Sequence, residues 1–96
     1  MTTDVIGALA ALLTETEAAH GVYETTELNG VYDKEWPRWY ARYAVDHSID
    51  AVLGRPVTVD ALAGFLATSF EEFQRADPRP TDPWAAYTAR RIAAEL

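Results

Sequence analysis

The chain has 96 residues, of which 49% are hydrophobic, and its fifteen acidic residues against eight basic ones give a formal net charge of −7. This length suits one domain, 1–96, and three Trp, five Tyr and three Phe supply a core, since each aromatic buries ~150–250 Å². The acidic surplus argues against non-specific nucleic-acid binding and against an anionic membrane surface, both of which need Lys and Arg, and the absence of Cys excludes disulfides, thiol catalysis and thiolate metal sites.

The opening MTTDVIGALAALLTETE carries no basic n-region, and its apolar run Val5–Leu13 is too short to span a bilayer, so a cytoplasmic protein is expected. Seven Arg to one Lys, with abundant Ala, is the usage of a GC-rich bacterial gene. The first predicted helix covers 4–28, with Thr3 or Asp4 as its cap. Ile6, Leu9, Leu13, His20 and Tyr23 follow helical spacing. Gly21 costs ~1 kcal/mol relative to Ala inside a helix, yet Val22 and Tyr23 continue the pattern. The triplet LNG ends it, because Asn and Gly tolerate the left-handed conformation of a helix terminus.

A second helix is predicted over 34–53, with Asp33 as a cap and Pro37 near its start, where a missing N–H costs little. GRP stops it, and RPVTV reads as an extended loop. The third, 58–76, is the clearest. Thr58 or Asp60 caps it, and Val59, Leu62, Leu66, Phe70 and Phe73 mark one face. The Pro-rich ADPRPTDP cannot stay helical, and Asp82 with Pro83 opens the last helix, 83–95. Four helices with short connections and no period-two alternation predict an all-α, four-helix bundle-like domain.

The stripe on the first helix poses the functional question. Ile6, Leu13, Glu17, His20 and Glu24 fall within a sector of roughly 60°, so ionisable groups stand where leucines stood a turn earlier. Buried charges need partners. By the same rule Trp36, Tyr40, Tyr43, His47 and Asp50 share a face of the second helix, and Arg91 on the last helix is a candidate counter-ion.

Three readings follow. In the first, these groups form a satisfied polar cluster that holds helix register. In the second, the aromatic-rich EWPRWYARY walls a pocket for a small ligand, to which cation–π attraction would suit a cation. In the third, Glu17-Ala-Ala-His20 contributes to a metal or acid/base site with His47, Glu24 and Asp50, although the Glu-x-x-His spacing of di-metal bundles appears once only. A helix-turn-helix lacks its basic recognition helix, and no nucleophile elbow or phosphate loop is present. Val45, Ile49 and Val52 give the second helix another apolar side, for which a partner chain, most simply a second copy, is expected. The run AHGVYE followed by WPRWYARY resembles small uncharacterised bacterial helical proteins over the first half of the chain, and this resemblance implies no activity.

The sequence thus predicts a non-enzymatic interaction or small-ligand-binding module without a cofactor. Its candidate cluster is Glu17, His20, Glu24, Trp36, Tyr40, Tyr43, His47, Asp50 and Arg91. The alternative is a metal or acid/base site, with His20, His47 and Glu17 as the ligand candidates.

Overall fold

The computed structural model describes residues 4–78 and 80–96. They form α1 (Val5–Glu27), α2 (Trp36–Asp46), α3 (Ile49–Leu53), α4 (Val59–Arg75) and α5 (Trp84–Glu95), with no strand among the described residues. The protein is an all-α bundle. Helix α1 packs on α5, α2 and α3, while α4 packs on α2 and α5. Leu9, Leu13, Ile49, Leu62, Leu66 and Ile92 are fully buried at the centre. Ala41, Ala44 and Ala89 are equally buried, and their small side chains let α2 and α5 approach their neighbours closely. A buried Ser69–Thr88 hydroxyl pair, 2.8 Å apart, links α4 to α5.

Helix α1 begins where Asp4 accepts the Gly7 N–H at 2.8 Å. The other cap candidate, Thr3, lies outside the described residues. Gly21 does not break the helix, which runs to Glu27. It ends at the predicted LNG: Asn29 (φ 53°) and Gly30 (φ 80°) turn left-handed, and the Leu28 and Gly30 amides both donate to the Glu24 carbonyl. A Cβ added at Gly21 would meet nothing within 4 Å. Gly21→Ala is therefore expected to stabilise the protein by ~0.5–1 kcal/mol, through lower chain entropy in the unfolded state. Urea denaturation measures this, and a loss of stability would contradict the helix-interior assignment.

The predicted helix 34–53 is two helices. Ser48 adopts a left-handed conformation (φ 69°, ψ 37°) between α2 and α3. The His47 amide donates to the carbonyls of both Tyr43 and Ala44 as the turn tightens. The bend redirects the chain so that Ile49 is fully buried and Val45 and Val52 pack on the core. Of the apolar side for which a partner chain was expected, Ile49 is thus buried in this chain's own core and Val45 and Val52 are partly buried against it.

Of the predicted caps of the last two helices, one forms and one does not. Thr58 caps α4 by accepting the Ala61 N–H at 3.1 Å. Asp82 does not cap α5: Pro83 takes the cap position, and the Asp82 carboxylate pairs with Arg90. Arg79, within the Pro-rich connection, lies outside the described residues.

Candidate functional site

One end of the bundle holds a cleft of about 260 Å³, lined by Glu17, His20, Glu24, Tyr32, Trp36, Tyr40, Phe70 and Trp84. Four helices and the loop after α1 contribute to it. The buried line of α1 runs Leu9, Leu13, Thr16, His20. Thr16 sits on that line where the predicted stripe had Glu17, and its hydroxyl donates to the Leu12 carbonyl at 2.7 Å. Glu17 lies about 60° round the helix from His20, and this places it, exposed, at the rim of the cleft.

His20 is only 6% exposed. Its Nε2 lies 2.9 Å from Asp33 Oδ2, and its Nδ1 faces Glu24 Oε1 at 3.8 Å. The other Glu24 oxygen accepts the Asp33 N–H at 3.2 Å, and Asp33 Oδ1 accepts the Glu35 N–H at 2.9 Å. These contacts fasten the returning loop to the end of α1. Three rings surround the imidazole: Trp39 and Tyr40 with centroids at 5.0 Å, and Tyr23 at 5.9 Å.

Opposite α1 stands an aromatic wall. Trp36 contacts Tyr40, Phe70 and Trp84 edge-on, with centroids 5.0, 5.3 and 5.8 Å away. The edge-to-face arrangement is the one ring quadrupoles favour. The Trp84 indole N–H is buried and has no acceptor among the described residues. Tyr32, 67% exposed, brings a fifth ring from the loop.

Electrostatically the cleft is negative. Burial raises the Glu17 carboxyl above its ordinary range. Desolvation first, then the charges of Glu17 and Glu24, push the Tyr40 hydroxyl up to about 12. Among the described residues, no Lys or Arg lines the cleft.

The structure thus brings Glu17, His20, Glu24, Trp36 and Tyr40 together, and it places the other candidates elsewhere. Tyr43 and His47 belong to a ladder of rings leading away from the cleft: His20 meets Trp39, Trp39 stacks on Tyr43 at 5.5 Å, and Tyr43 stacks on His47 at 3.8 Å. Two aromatic rings therefore separate the histidines. His47 itself is exposed, with Nδ1 2.7 Å from the Tyr43 carbonyl. Asp50, beyond the Ser48 bend, accepts the Ala51 N–H and edges a shallow hollow with Arg55. Arg91 is no counter-ion for α1. It pairs with Glu72 and with Glu95, and its guanidinium lies over the Phe65 ring at 5.3 Å.

A metal site built on His20 and His47 has no geometric basis, because the Trp39 and Tyr43 rings stand between them. Among the described residues no group of three or more His, Asp or Glu is arranged to hold a metal ion.

Sequence reasoning missed Asp33 as the partner of His20, and Tyr32, Phe70 and Trp84 as lining residues. A signal for Asp33 was present: LNG reverses the chain five residues after Glu24, so the following loop must return past that end of α1. Phe70 and Trp84 depend on how α4 and α5 cross α2, which no local spacing encodes.

Chemically the site offers apolar ring faces, two carboxylates and a histidine already held by Asp33. Neither a family model, nor a curated protein, nor a solved structure matches this chain.

Proposed function

We propose that this protein is a non-enzymatic small-ligand-binding module whose site is the aromatic cleft beside α1. The observation that carries this reading is the cleft itself: about 260 Å³, walled by five aromatic side chains and edged by Glu17, His20 and Glu24. An apolar concavity with a few convergent polar groups is the usual form of a ligand site. Its volume lies just below the ~300–1,000 Å³ of pockets for drug-sized molecules, so the ligand is a smaller one. His20 supports the wall rather than reacting, since Asp33 engages its Nε2 and Glu24 faces its Nδ1.

The three Trp make a direct test. Trp36 and Trp84 line the cleft, while Trp39 does not. In protein-detected NMR with a library of small organic molecules, ligands are expected to shift the Trp36 and Trp84 indole N–H signals saturably and to move that of Trp39 less. A library that moves none of them, or moves all three alike, would refute the assignment.

A further inference from the structure

We infer that the cleft takes a small organic cation, its ammonium group held by Glu17 and its hydrocarbon body laid against Trp36, Phe70 and Trp84. This inference rests on the ligand-binding reading above and adds the chemical class.

The argument begins with charge. Besides two tyrosines, the ionisable side chains lining the cleft are two glutamates and one histidine. Three arginines are paired away from the cleft: Arg38 with Asp60, Arg90 with Asp82, and Arg91 with Glu72 and Glu95. The two glutamates are not equivalent. Glu24 accepts the Asp33 amide and faces His20. Glu17 has neither a hydrogen bond nor an ion pair among the described residues, although burial raises its carboxyl. At the rim this carboxylate is open to an incoming cation, with which it can form a charge-assisted contact.

The wall points the same way. Ring faces attract cations through their quadrupole, most strongly where water is excluded. Trp36, Phe70 and Trp84 contact one another pairwise with centroids 5.3 to 6.2 Å apart, so they form one continuous apolar surface. A carboxylate ligand would meet Glu17 and Glu24 as like charges. A neutral alcohol would form no ion pair with Glu17. An ammonium group on a short hydrocarbon satisfies both halves of the cleft and fits its volume.

The test is an NMR titration at pH 7 with 2-phenylethylammonium and butylammonium, each against its neutral isostere, 2-phenylethanol and 1-butanol, and with 3-phenylpropanoate as the anion. The ammonium compounds are expected to bind about tenfold more tightly than the alcohols, as one charge-assisted contact implies. They should shift the Trp36 and Trp84 signals. Glu17→Gln is expected to bring the ammonium compounds down to the affinity of the alcohols and to leave the alcohols unchanged. Glu17 is exposed at the rim, so the variant retains the fold. In the unaltered protein, added salt is expected to weaken the ammonium compounds alone, since screening acts on charge.

Alcohols or the anion binding as tightly as the ammonium compounds would overturn the cation class while leaving the cleft as a ligand site. Ammonium affinity that ignores both Glu17→Gln and salt would do the same. If no compound of any charge shifts Trp36 or Trp84, both readings fall.

Discussion

Leu13→Ala is expected to lower the unfolding free energy by about 2–5 kcal/mol. Leu13 is fully buried on α1, the helix that carries Glu17, His20 and Glu24, and lies one turn before Glu17. Truncation removes three methylene or methyl groups' worth of burial, and it leaves a void that rigid neighbouring helices refill only in part. Domains of this kind are stable by ~5–15 kcal/mol in all, so the variant stands near the edge of folding. Urea denaturation should show a lower midpoint with an unchanged slope, because the surface exposed on unfolding stays the same. A loss below ~1 kcal/mol would contradict the close packing of α1 against α5 and α2.

The second large effect belongs to His20 and Asp33. Each variant, His20→Ala and Asp33→Ala, is expected to cost ~1–3 kcal/mol, because each leaves its partner buried and unsatisfied. Their side chains are only 7% and 11% exposed, so water does not readily replace the lost contact. The two losses should not add. In a double-mutant cycle the pair is expected to show ~0.5–3 kcal/mol of coupling, since the second truncation removes the group that the first one stranded. His20→Ala should also weaken hydrogen-exchange protection at Asp33, because this contact helps fasten the loop to α1. Additive losses, with exchange in the loop unchanged, would show that the 2.9 Å contact does not hold it.

These two residues also mark the limits of sequence reading. Leu13 announces itself through spacing: apolar residues three and four apart must share a face of any helix they form. His20 lies on the same line, so its burial was legible too. Its partner was not. Asp33 read as a cap, and in the structure one of its oxygens does accept the Glu35 amide near the start of α2. The other reaches His20 because the loop folds back, a long-range event outside local periodicity.

His47 shows the opposite error. Extending one helical face from Trp36 to Asp50 assumed unbroken rotation of ~100° per residue. Ser48 ends that rotation with a left-handed step, so Asp50 leaves the face shared by Trp36 and Tyr40, while His47, at the end of α2, stacks on Tyr43 away from the cleft. Arg91 failed for a different reason. Its position on α5 was sound, but Glu72 on the adjoining α4 and Glu95 one turn along α5 were its near partners.

The sequence by itself determined what local physics controls: the all-α class, the helix boundaries marked by Thr58, LNG and Pro37, and the buried line through Leu9, Leu13 and His20. Each follows from backbone propensity and periodicity within a few residues. The tertiary structure alone decided that Asp33 holds His20, that Trp39 and Tyr43 stand between the two histidines, and that Phe70 and Trp84 close the cleft opposite Glu17. Those outcomes depend on one left-handed residue, one chain reversal and the crossing of α4 and α5 over α2, where residues far apart in sequence become neighbours.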